Sequence, residues 1–104
     1  MRAKGDRAET AIKDKVGVFV GPNPFNPLTK IELYLPKASS GTVKVFDIRG
    51  RLVVELYRGD FAEGQTTFVW QGRDAHGRTQ ASGAYYVKVD AGDSSWTKKL
   101  LLIK

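Results

Sequence analysis

A chain of 104 residues is long enough for one domain and too short for two, and 41% hydrophobic with 27% charged residues is the balance of a folding chain, not a disordered one. With no cysteine it has no disulfide, no thiol nucleophile and no thiolate zinc site. The formal net charge of +6 is spread from Arg2 to Lys104, with Glu32, Glu55, Asp60 and Asp90 among the cations, which reads as a mixed solvated surface and not as a nucleic-acid footprint.

Residues 1–15 are charged and lack aromatics, and only Ile12 offers a sizeable apolar side chain after Met1. They read as a disordered linker or cloning remnant, and residues 16–104 as the folded unit. From Val16 onward, β-branched and aromatic runs alternate with glycine or proline punctuation. Residues 16–20 form the first predicted strand. Ile31, Leu33 and Leu35 share one face of the next, with Glu32 and Tyr34 on the other. Val43 and Val45 alternate with Thr42 and Lys44, while residues 52–57 make a more continuous apolar run around Glu55. Thr66, Phe68 and Trp70 share a face, as do Tyr85, Val87 and Val89, and a last strand covers residues 95–103. About seven strands and no helical periodicity predict an all-β fold, an immunoglobulin-like antiparallel sandwich.

The turns absorb most of the polar residues that could do chemistry. Asp47-Ile48-Arg49-Gly50 joins two strands, with Gly50 able to supply the positive φ of a tight connection, and in Asp74-Ala75-His76-Gly77 the carboxylate can accept backbone N–H bonds while Gly77 takes the left-handed position. Asp90-Ala91-Gly92-Asp93 marks another tight connection. His76 is the single histidine, sits in a turn, and has no second histidine or cysteine with which to hold a metal. No nucleophile-elbow sequence accompanies Ser39, Ser40, Ser82, Ser94 or Ser95, and Asp60, Glu63 and Asp74 lack the dense alternation of a calcium loop. The expectation is no enzyme, no metal and no cofactor. Trp70, Trp96, Tyr34, Tyr57 and Tyr86 could in principle form a sugar-stacking platform, but Trp70 shares the Phe68 face before a glycine turn, so it is assigned to the core. No apolar run approaches the roughly 20 residues of a membrane span, so no direct membrane insertion is expected. No signal peptide opens the chain, so any export leader is expected upstream.

Six ordered motifs carry a resemblance. Pro22-Asn23-Pro24-Phe25-Asn26-Pro27-Leu28-Thr29-Lys30-Ile31 is followed in register by Leu35-Pro36, by Val43-Lys44-Val45-Phe46-Asp47-Ile48-Arg49-Gly50-Arg51, and by Trp70-Gln71-Gly72-Arg73-Asp74 with Gly77-Arg78. Ala81-Ser82-Gly83-Ala84-Tyr85-Tyr86 and Thr97-Lys98-Lys99-Leu100-Leu101-Leu102-Ile103-Lys104 complete the series. The set closely resembles the type A C-terminal sorting domains of the bacterial type IX secretion system, themselves similar to the immunoglobulin-like part of the flagellar hook-capping protein. Two positions depart from the family pattern: Gly21 stands where an aromatic commonly precedes the opening, and Gln71 where an acid or Asn follows the tryptophan.

The resemblance implies a non-catalytic module that directs an upstream cargo domain across the outer membrane of a Gram-negative bacterium. Its implied partners are the outer-membrane secretion machinery and a sortase-like protease, and its implied location is the cell surface or medium, reached through the periplasm. Nucleic acid is not among the partners. Three prolines in six residues stiffen the opening, and Asn23 and Asn26 can cap its turn. The expected recognition residues are Asn23, Asn26, Thr97, Lys98, Lys99 and Lys104, with the three lysines supplying positive charge around a last strand that offers backbone groups if it lies at an edge. The alternatives are a carbohydrate-binding or adhesive sandwich and a hook-cap structural domain. The stop at Lys104 directly after the last strand is expected of the sorting module.

Overall fold

The structure, a computed structural model, describes residues 16–104; the segment read as a linker, 1–15, lies outside the described residues. Seven strands follow in order: β1 (Gly17–Gly21), β2 (Thr29–Leu35), β3 (Ser39–Asp47), β4 (Leu52–Phe61), β5 (Gly64–Trp70), β6 (Gly83–Ala91) and β7 (Ser94–Leu102). They form a three-stranded sheet in the order β1-β2-β5 and a four-stranded sheet in the order β4-β3-β6-β7, all neighbours antiparallel. This is the immunoglobulin-like sandwich that the alternation predicts.

The inward residues of the alternating runs fill the space between the sheets. Ile31, Leu33, Val43, Val45, Val87, Val89 and Leu100 are completely buried, and each such side chain contributes about 1.5–3 kcal/mol relative to exposure. Trp70, Phe25 and Tyr85 close one end of this core and Phe61 lies towards the other. The Tyr85 hydroxyl donates to the carbonyl of Ala81, 2.7 Å away, tying the start of β6 to the loop before it, a tyrosine-corner arrangement known from sandwich folds. Burial, then the Asp47 carboxylate, push its phenol pKa up.

Two strands run further than their apolar cores suggest. β3 begins at Ser39, because Ser39, Ser40, Gly41 and Thr42 pair with Phe61, Asp60, Gly59 and Arg58 of β4 through the backbone alone, which asks for no apolar side chain. The unbroken run in β4 also has a structural reason. Its register against β3 shifts twice, so Leu56 and Val53 are passed over between paired residues, and every side chain from Val53 to Tyr57 is half-buried. Such bulges twist an edge strand and discourage further pairing.

Candidate functional site

Proline chemistry sets up the first surface. Residues 22–28 cannot enter a ladder continuously, since Pro22, Pro24 and Pro27 lack an N–H. The segment instead folds over the outer edge of β7; the peptide bonds before all three prolines are cis. Phe25 is the plug. Its backbone N–H donates to Leu101 O (2.9 Å), its carbonyl accepts from the Ile103 N–H (3.0 Å), and its ring, 2% exposed, leans on Trp70 with centroids 5.5 Å apart. Thr29 anchors the other side by donating its hydroxyl to Pro22 O at 2.7 Å.

Asn23 does not cap its own turn. Its amide nitrogen donates to Lys99 O and its amide oxygen accepts from the Leu101 N–H, both at 2.9 Å, so the side chain acts as one more peptide unit beside β7. Asn26 lies exposed on the same loop. Asn23→Ala is expected to cost about 1 kcal/mol, the low end for two solvent-facing hydrogen bonds, and to speed hydrogen exchange at the Leu101 amide. Unchanged exchange there would mean that Phe25 alone holds the loop.

β7 is an edge strand, as the recognition argument requires. Its outward backbone groups at Lys99, Leu101 and Ile103 are covered by the opening loop. By alternation, the outward groups of Ser95 and Thr97 face the same side, and no strand of the described residues flanks them in the sheet. Thr97, Lys98 and Lys99 are all exposed. The two lysines do not make one cluster, because successive side chains on a strand point to opposite faces: Lys99 pairs with Tyr86 on the outer face, while Lys98 is placed opposite Val87. Lys104 is exposed and its N–H donates to Ser82 Oγ at 3.0 Å. The structure thus gathers Asn23, Thr97 and Lys99 along one edge, with Lys98 on the other face and Lys104 at the strand's end.

The aromatics do not share a platform. Trp70 is 1% exposed and donates its indole N–H to Arg73 O at 2.9 Å. Tyr57 stacks with Phe61 and Phe68, Tyr34 meets Phe19 edge-on, and Tyr86 pairs with Phe46 in the other sheet.

A second surface went unread as such in the sequence, although its signal is a repeated pentapeptide, Asp-x-x-Gly-Arg, at 47–51 and 74–78. The two copies fold alike. In each, the glycine N–H bonds the Asp carbonyl (2.9 and 3.0 Å) and one carboxylate oxygen accepts two backbone N–H groups at 2.9 Å. The other carboxylate oxygen takes the Arg Nε–H, at 3.0 Å for Arg51 and 2.9 Å for Arg78. Gly50 and Gly77 hold φ of 82° and 81°, which a side chain would strain. The Arg51 N–H, then the Arg49 N–H and the Arg51 guanidinium, hold the Asp47 pKa below its ordinary value; the Arg78 N–H, then His76 N–H and the Arg78 guanidinium, do so for Asp74. Both turns therefore draw their full stabilisation above the ordinary Asp pKa and lose it as pH falls through the lowered values. His76 is an exposed member of the second turn. Among the described residues no group of three or more His, Asp or Glu could hold a metal ion.

A family model described as the FlgD Ig-like domain matches residues 27–95, more than half of the chain. Among solved structures, PorZ, an essential bacterial surface component of the type-IX secretion system of Porphyromonas gingivalis, is similar at 30% identity with a TM-score of 0.58. That match covers 85% of this chain and 12% of PorZ. FlgD from P. aeruginosa is 30% identical over 69% of this chain and 57% of its own, with a TM-score of 0.54. Dimeric latent PorU from Porphyromonas gingivalis shares the fold, with a TM-score of 0.64 at 18% identity over 83% of this chain and 9% of PorU. This chain therefore spans less than two thirds of each of these proteins. No curated protein sequence matches it.

Proposed function

The chain belongs to the FlgD Ig-like domain family, and from that premise we propose that it is a sorting module of the type IX kind, non-catalytic, which directs an upstream cargo domain through the outer membrane to the cell surface or medium. The observation that carries this reading is the likeness to PorZ, a surface component of such a system, at 30% identity over 85% of the chain. A match of that extent reaches beyond 27–95, the part that the FlgD model covers, into the strand β1, the Pro22–Asn26 loop or β7. Of these, the Pro22–Asn26 loop and β7 carry the first and last motifs of the sorting-domain resemblance. The partners in this reading are the secretion machinery and a sortase-like protease.

The second reading is a structural domain of a hook cap, favoured by the 30% identity to FlgD over 69% of the chain. A reporter with an export leader, fused ahead of residues 16–104 in a type IX-competent bacterium, separates the two. The sorting module carries the reporter outside the outer membrane; a reporter left in the periplasm favours the structural domain.

Within the sorting reading, the address is the edge formed by Asn23, Thr97 and Lys99, with Lys98 and Lys104 beside it. A machine serving unrelated cargoes must read the shared module, and an edge strand with a fixed loop offers backbone and charge together. The Lys98→Glu/Lys99→Glu variant lacking Lys104 is expected to keep its melting midpoint and lose export. Export unchanged at an unchanged midpoint would place the address in the loop around Asn23 and Asn26.

A further inference from the structure

The twin Asp-x-x-Gly-Arg turns line one groove. Asp47, Arg51, Asp74, His76, Arg78 and Gln80 stand around a space of about 660 Å³ whose apolar side is Leu52, Val53 and Val54 of β4. That volume is in the range of sites that enclose a ligand segment and is far larger than one small anion. Each arginine is fixed through its Nε by its own aspartate, yet its side chain remains 70% exposed at Arg51 and 73% at Arg78. A guanidinium carries five N–H donors in a planar fork, so orienting it through Nε leaves the Nη edge for bidentate contact with a carboxylate.

The groove wall also holds Glu55, whose carboxylate is paired with Arg58 at 2.7 Å, so the net charge around the groove is positive. Each Asp–Arg pair is neutral, and the excess at this end of the sandwich comes from Arg49, Arg73 and Lys104. Arg73 is held over the second turn by a bond to Gly77 O at 2.8 Å, and the Lys104 N–H bonds Ser82, which shares the adjoining hollow with Asp47 and Arg51. Acidic residues gather at the opposite end, with Glu63 in the β4–β5 turn, Asp93 in the β6–β7 turn, and Asp60 and Asp90 beside them.

We infer that this groove binds an extended acidic segment of a partner protein, with two of its carboxylates held by the Arg51 and Arg78 forks and the residues between them lying on Leu52, Val53 and Val54. The contact is made by side chains, because the two bulges of β4 spoil its outer edge for strand addition. Nucleic acid is disfavoured, since His76 is the groove's one ring and single strands bind by stacking on aromatic platforms. A groove with cations on two walls suits a slender chain better than the blunt acidic end of a second sandwich. The inference is independent of the sorting role and is read by binding, not by export.

Fluorescence anisotropy with a fluorescein-labelled peptide of alternating Glu and Ala tests it on the full chain at low salt. The peptide is expected to bind, and its lysine counterpart is not. Arg51→Gln/Arg78→Gln is expected to weaken binding about tenfold or more, the loss of two charge-assisted contacts. Lys30→Gln/Lys37→Gln removes the same charge at two exposed positions outside the groove and is expected to change affinity by no more than about twofold. Because the glutamine pair also releases Asp47 and Asp74, Arg51→Lys/Arg78→Lys supplies a variant that keeps charge and loses the fork; an intermediate loss is expected. Amide shifts on peptide addition should concentrate at 47–54 and 74–80 and need no variant. Equal weakening by both glutamine pairs, full affinity in the lysine pair, shifts centred elsewhere, or tighter binding of a single-stranded oligonucleotide would each overturn the inference. So would concentration-dependent self-association of the parent that Arg51→Gln/Arg78→Gln abolishes, which would assign the groove to a second copy.

Discussion

Trp70→Ala is expected to lower the stability of the module by about 3–5 kcal/mol, as truncation of a large buried aromatic does. The indole is 1% exposed and sits where three parts of the molecule meet. Its ring centroid is 5.1 Å from that of Tyr85 at the start of β6 and 5.5 Å from that of Phe25 in the opening loop. Its N–H satisfies Arg73 O at the head of the loop carrying the second Asp-x-x-Gly-Arg turn. Alanine leaves a cavity and an unpaired carbonyl, and takes away the surface on which Phe25 rests. Denaturant unfolding reads the effect as a lower midpoint at unchanged slope. A midpoint that hardly moves would show that Trp70 is not the keystone of this end and would return it to the candidate sugar contacts.

Gly41→Ala is the second large effect, and it arises from the backbone. A Cβ at Gly41 would stand 1.7 Å from the Asp90 carbonyl oxygen and 2.6 Å from its carbon, both main-chain atoms of the paired strand β6. No rotamer change relieves such a contact, so β3 and β6 must part at the centre of the four-stranded sheet. The cost is expected to be on the order of 3 kcal/mol, the upper range of overpacking. Gly21→Ala is the matching control, because a Cβ there meets nothing within 4 Å and should shift stability by no more than about 0.5 kcal/mol. Equal stability of the two variants would contradict the close approach of β3 and β6.

The contrast between these residues shows what a sequence can disclose. Burial of Trp70 was legible, because Phe68 and Trp70 repeat at strand period before a glycine turn. The inward faces of β2, β3 and β6 were legible for the same reason. The need for glycine at 41 was not, since it depends on a carbonyl 49 residues away in the chain. The bulges of β4 left only a failure of alternation, which periodicity registers as an apolar run. The role of Asn23 was hidden more deeply: its partners lie 76 and 78 residues on, and a local reading assigns a proline-flanked asparagine to its own turn. The Asp-x-x-Gly-Arg turns were readable one at a time. Their meeting across a groove depends on the β3–β4 connection and the loop between β5 and β6 reaching the same end of two different sheets. The adjacency of Lys98 and Lys99 suggested a shared cluster, whereas strand alternation separates them.

The proposed sorting role is tested most directly by exchanging modules on one reporter in one type IX-competent bacterium. One fusion carries residues 16–104 of this chain and the other carries the Ig-like domain of P. aeruginosa FlgD, which has a related fold at 30% identity. The fraction of reporter outside the outer membrane is then measured for both. The account predicts export with this module and periplasmic retention with the FlgD domain. Retention of both, or equal export of both, would contradict it.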